Sequence, residues 1–215
     1  MRPISVTVGP LAAASATAIC ASQTPTSAFT LNGSIVTGGV AILDTARRVL
    51  FTTVANESAK TATIVGTDVN GSITSEVLTL PNATTAFSVM DYKTVTSITI
   101  SASATGAITV GTNGVASSMW VRLDDWAPAQ TSVQATVTGT VNYTVQQTLD
   151  DPNGAMNSML PYQVVWFSSP DSTLVGATGN IQSNYAFAPT FVRVLLNSGG
   201  GTVTLRVLQS GVVTQ

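Results

Sequence analysis

Paired carboxylates are the first residues in this chain that could do chemistry. Asp124-Asp125 and Asp150-Asp151 supply the acidic side chains that glycoside hydrolysis would need. Neighbouring residues on a strand point to opposite faces, so neither pair can form a facing dyad. LDDPNG also reads as a turn, initiated by Asp and Pro, and it offers too few alternating carboxylates for a calcium loop. Asp44-Thr45-Ala46 approaches the D-T-G pattern of aspartic proteases, but it lacks the glycine and has no second copy. Lys60 and Lys93 have no serine at S-x-x-K spacing, and Gly199-Gly200-Gly201-Thr202 is not followed by the lysine of a phosphate loop. The chain has no histidine, which removes Ser-His and Cys-His nucleophile activation and His-ligated metals. The single Cys20 can form neither an intramolecular disulfide nor a thiolate metal site by itself, and it reads as a small buried hydrophobe. No catalytic, cofactor-binding or metal residue is therefore assigned.

Candidate contact residues are of another kind. Arg47-Arg48, in LDTARRVL, is too small a basic patch for nucleic acid but can pair with an acidic partner; the plainer reading is a solvated strand entry. Trp120 and Trp126 lie in MWVRLDDWAP, and Met156 and Met159 in PNGAMNSMLPY, where large side chains on loops can anchor a partner or stack on a sugar. The plainer reading makes Trp166-Phe167 core and lets the Trp120/Trp126 pair cover a domain interface.

The elements carrying these residues are strands. Of 215 residues only 8% are charged, against roughly 25% in ordinary globular domains, and roughly a quarter are Ser or Thr. A net charge of −2 and a pI near 4.8 leave no positive field for phosphates, so no nucleic-acid partner is expected. No apolar run is long enough to span a membrane as a helix. The opening MRPISVTVGPLAAASATAICAS has some features of a secretory leader, but Pro10 and recurrent Thr and Ser interrupt it. The expected first strand is 4–8.

Period-two alternation bounded by turn residues recurs along nearly the whole chain. Further strands are expected near 28–31, 48–56, 62–68, 72–80, 95–101, 107–111, 133–138, 141–148, 163–167, 191–197 and 202–208. Asn70-Gly71 predicts a hairpin with a tight type I′ turn. VTSITISASATGAITVGT, TSVQATVTGTVNYTVQQT and TFVRVLLNSGGGTVTLRVLQ form a degenerate repeat, each reading as strand, glycine turn and strand. The expectation is an all-β protein of two antiparallel β-sandwich-like domains, residues 1–118 and 119–215. One continuous sandwich is the alternative. Five Asn-x-Ser/Thr triplets, from Asn32 to Asn142, are close to what this composition yields by chance.

A near-neutral, Thr/Val-rich chain has little protection against edge-to-edge pairing, which points to a permanent assembly covering its edges. The segments RPISVTVGPLAAASATAI, GTDVNGSITSEVLTL, VTSITISASATGAITVGTNGVASSMWV, VTGTVNYTVQQTLDDP and AFAPTFVRVLLNSGGGTVTLRVLQSG resemble a family of virion structural proteins of tailed double-stranded DNA bacteriophages. The resemblance spans nearly the full length, in turns and strands that carry no site residues across. It implies a capsid decoration or cement protein on the capsid exterior, made in the host bacterial cytoplasm, with the major capsid protein and other copies of itself, as dimer or trimer, as partners. No cofactor, nucleic acid or membrane is implied. A tail or fibre-anchoring component is the alternative, followed by a carbohydrate-binding β-sandwich using Trp120, Trp126 or Trp166.

Overall fold

The computed structural model describes residues 3–123, 131–152, 154 and 159–209. In chain order its strands begin with β1 (Ile4–Val8), β2 (Ser15–Gln23), β3 (Val36–Thr37), β4 (Val40–Thr53) and β5 (Thr61–Thr67). They continue with β6 (Ile73–Thr79), β7 (Thr85–Ile100), β8 (Ile108–Ser117), β9 (Val121–Arg122) and β10 (Thr131–Thr138). The last are β11 (Asn142–Thr148), β12 (Phe167–Ser168), β13 (Ile181–Tyr185), β14 (Phe191–Ser198) and β15 (Thr202–Gln209). Two 3₁₀ turns, Pro161–Gln163 and Ser172–Leu174, are the helical elements among the described residues. The fold is all-β, and its paired strands are antiparallel.

Two compact units divide the chain, one of residues 12–115 and one of 1–11 with 116–215. This differs from the contiguous division at 118/119. β1 pairs with β15 from Ile4↔Val207 to Val8↔Val203, so the N-terminal strand belongs with the C-terminal half.

In the unit of residues 12–115 the strand order is β8-β4-β7-β5-β6, with β2 added on β8 and β3 on β4. β5, TATIVGT, buries every second residue, as its alternating sequence requires. Ile19, Phe51, Ile64, Tyr92, Ile98 and Ile108 fill the core, and Phe29 meets Phe51 edge to face with centroids 6.0 Å apart. β4 is less regular. Its pairing with β7 shifts register between Ile42 and Arg47 and again between Arg48 and Leu50. These irregularities break the alternation, so that consecutive Ala46 and Arg47 are both buried.

The other unit contains a sheet of order β1-β15-β10-β13 and strands β12-β11-β14, with β9 and the end of β8 on β14. Both sets contribute to one core: Val133, Leu205 and Val207 from the first, Tyr143, Val194 and Leu196 from the second. The chain passes between them at Gly139 (φ 79°) and Gly199 (φ 108°). A Cβ on Gly199 would lie 2.3 Å from the Thr140 carbonyl oxygen, so this corner accepts only glycine. Tyr143 is fully buried, and its hydroxyl donates to the Gly179 carbonyl at 2.9 Å. Tyr143→Phe is expected to cost about 1 kcal/mol, read as a lower urea midpoint with unchanged slope.

Several strand expectations need correction. None of the three repeats is a hairpin: β4 lies between β7 and β8, while β10 and β11, like β14 and β15, sit in different sheets. Alternation specifies which face is buried but not which neighbour supplies the hydrogen bonds. The 70–71 hairpin forms between β5 and β6, but with a longer turn than type I′. Gly71 (φ 82°) donates to the Asp68 carbonyl, and Asn70 does not take a positive φ. Residues 28–31 contribute one bridge, Ala28↔Thr99, and within 163–167 only Phe167 is in a strand. β2, most of it within the stretch compared to a leader, β3, β9 and β13 lie outside the expected strands.

Candidate interaction surface

The candidate contact residues fall into different environments. Arg47 is 1% exposed and is not available to a partner. Its Nη1 donates to the Ala12 carbonyl at 3.0 Å and to the Asp44 carboxylate at 3.1 Å. Its Nε donates to the Asn113 carbonyl at 3.1 Å, and Nη2 reaches the same oxygen. The shifted register of β4 turns this side chain inward, and a reading of alternation cannot reveal that. Arg48 is half-buried, 3.9 Å from Asp91, with its guanidinium 5.6 Å from the Phe87 ring centroid.

Trp120 packs internally, edge to face with Trp166 at 5.1 Å and with Phe191 at 5.6 Å. The Arg193 guanidinium lies 4.2 Å from the Trp166 centroid and donates to Gln146 Oε1 at 2.9 Å. Arg122 stands 5.6 Å from the Phe191 centroid and pairs with Asp151 at 2.7 Å. These rings and guanidiniums pack on one another, with Trp120 and Trp166 each partly exposed. Sequence reading missed Arg122, Arg193 and Phe191 because strand pairing alone brings them to the two tryptophans. Trp126 and Met156 lie outside the described residues; Met159 is half-buried.

Both carboxylates of LDDPNG have partners within the chain. Asp150 accepts the Val165 N–H at 2.8 Å and Asp151 receives Arg122. Asp124 and Asp125 lie outside the described residues. Among the described residues no three His, Cys, Asp or Glu side chains are grouped to hold a metal ion, and no helix is long and apolar enough to cross a membrane. Cys20 is buried, and burial pushes its thiol pKa up to about 12, so the thiolate is suppressed.

What the unit of 1–11 and 116–215 does present is an exposed apolar group. β12 is the end strand beside β11, paired as Gln147↔Phe167. Leu149, which directly follows β11, Val165, two residues before β12, and Phe167 in β12 are the large apolar residues there. Their exposures are 69%, 55% and 62%. Phe167 is therefore not core, while its neighbour Trp166 turns to the Arg193 side; the period-two rule applied to Val165-Trp166-Phe167 was the available signal. Comparison with protein families, curated proteins and solved structures finds no match to this chain.

Proposed function

We propose that this chain is a non-enzymatic virion structural protein of a tailed bacteriophage, a capsid decoration or cement protein that binds the outer surface of the major capsid protein shell. The observation that carries the reading is the Leu149/Val165/Phe167 group: three large apolar side chains exposed to water where β11 ends and β12 begins. Patches of this kind mark protein contact sites. Two further features support it. With 8% charged residues the chain meets a partner through apolar and hydroxyl groups, contacts that salt screens little. The resemblance to phage virion proteins runs through nearly the full length.

Stoichiometry tests the proposal. The chain should be present in purified particles at a copy number approaching that of the capsid subunit. Six or twelve copies per particle would assign it to the tail, and absence would end the virion reading. The apolar group has its own test. Phe167→Asp places a charge among desolvated groups and is expected to abolish binding to undecorated shells while leaving the thermal transition unchanged. Wild-type binding by Phe167→Asp would remove the group as the docking site.

A further inference from the structure

β6 ends the strand order of the unit of residues 12–115, with β5 hydrogen-bonded on one side and no strand hydrogen-bonded on the other among the described residues. Its backbone phase follows from the bonds flanking it. Asp68 N–H donates to Ser72 C=O at 2.9 Å and Leu80 N–H to Lys60 C=O at 3.0 Å. In the continuous β5–β6 register, Thr74, Glu76 and Leu78 therefore face β5 with their N–H and C=O groups. Ile73, Ser75 and Val77 direct theirs to the open edge.

Edges left open in this way are normally protected by proline, a bulge or outward charge. β6, ITSEVLT, has no proline, and its pairing with β5 has no register shift. Its one charged side chain is occupied: the Glu76 carboxylate accepts the N–H groups of Val89 at 2.7 Å and Met90 at 2.9 Å. Ile73 and Val77 meanwhile stand 74% and 65% exposed.

We propose that β6 is a dimerisation edge, pairing antiparallel with β6 of a second copy of this chain about a two-fold axis at Ser75. The argument for a second copy is self-complementarity. With Ser75 opposite the partner's Ser75, Ile73 falls opposite the partner's Val77 on one face, and Thr74 opposite the partner's Glu76 on the other. On the exposed face apolar meets apolar, while Thr74 and Glu76 stay engaged with β7 of their own chain. All three outward-facing residues fall in hydrogen-bonded pairs, which the backbone phase demands. A two-fold axis at Glu76 instead would set Glu76 against itself and Ile73 against Thr79. The chosen contact is isologous and closes at two chains. It does not rest on the virion reading, because isolated chain tests it and particle stoichiometry does not.

Sedimentation of the purified full chain is expected to give twice the 22.0 kDa chain mass. Ile73→Lys and Val77→Glu should each weaken the dimer about tenfold or more. Mixing those two chains should restore it, because only this register brings the introduced lysine against the introduced glutamate. Ser75→Cys provides a readout that does not depend on destabilising the edge. The paired Cα atoms would lie about 5.5 Å apart, within disulfide reach. Diamide should therefore link the two introduced thiols into a covalent dimer, and buried Cys20 does not compete. A monomer, a trimer, a dimer unaffected by Ile73→Lys and Val77→Glu, or no cross-link at position 75 would each overturn the proposal.

Discussion

Asp44→Ala is expected to destabilise the unit of residues 12–115 by about 3–5 kcal/mol, lowering its thermal transition by more than about 10 °C. The reason is the position of Arg47. Its guanidinium is enclosed, and Asp44 is its carboxylate partner at 3.1 Å; the Ala12 and Asn113 carbonyls are its other acceptors. Removing the carboxylate leaves a buried cation with neutral acceptors only, and it also removes the acceptor for the Ala12 N–H at 2.7 Å. Arg47→Met removes the charge with the pair and keeps the volume, so it should cost less than Asp44→Ala. Circular-dichroism melts of both variants check the order, and equal or inverted losses would contradict a charge-pair role. Partial burial pushes the Asp44 pKa up, but the Ala12 N–H and the Arg47 guanidinium outweigh it and hold the carboxyl below its ordinary 3.8.

Glu57 is the second site of large expected effect. The side chain is fully buried, with Oε1 accepting the N–H groups of Thr105 and Gly106, both at 2.8 Å, and Oε2 taking Lys60 Nζ at 2.5 Å. One carboxylate thereby ties the turn before β5 to the turn before β8. Glu57→Ala leaves two N–H groups without their acceptor and the Lys60 ammonium with only the Thr105 hydroxyl at 2.7 Å, and should cost about 3 kcal/mol. Glu57→Gln keeps an oxygen for the two N–H groups and loses only the lysine pairing, so its loss should be roughly half.

A pH dependence follows from the same geometry. Burial alone would raise the Glu57 pKa, but the Lys60 hydrogen bond and the Gly106 and Thr105 N–H groups outweigh it and lower it below 4.5. A depressed folded-state pKa means that the unfolded chain binds the proton first. The stabilisation is complete above the unfolded value and is lost as pH falls from about 4.5 through the folded value. Urea midpoints between pH 6 and pH 3 should therefore decline more steeply for the wild type than for Glu57→Gln. Parallel curves would show that another carboxyl governs acid sensitivity.

The sequence by itself determined the fold class, because Thr- and Val-rich alternation bounded by glycine and asparagine turns satisfies a pleated surface and no helical stripe competes with it. It also located most strands and the 70–71 turn region. Tertiary structure decided the partners. The three glycine-joined strand pairs read alike in sequence, yet β4 separates the first and the other two turn corners between sheets, because hydrogen-bond pairing is non-local. Arg47 appeared as surface charge; a shifted register on β4 made it the enclosed centre of an ion pair. Trp120 stands out in sequence as a single aromatic on a loop; the fold brings Trp166 and Phe191 edge to face against it. Phe167 appeared as core until β12 proved to be an edge. Local pattern dictates backbone conformation and side-chain alternation, but which face meets water depends on the strands that come to lie beside it, and those are distant in sequence.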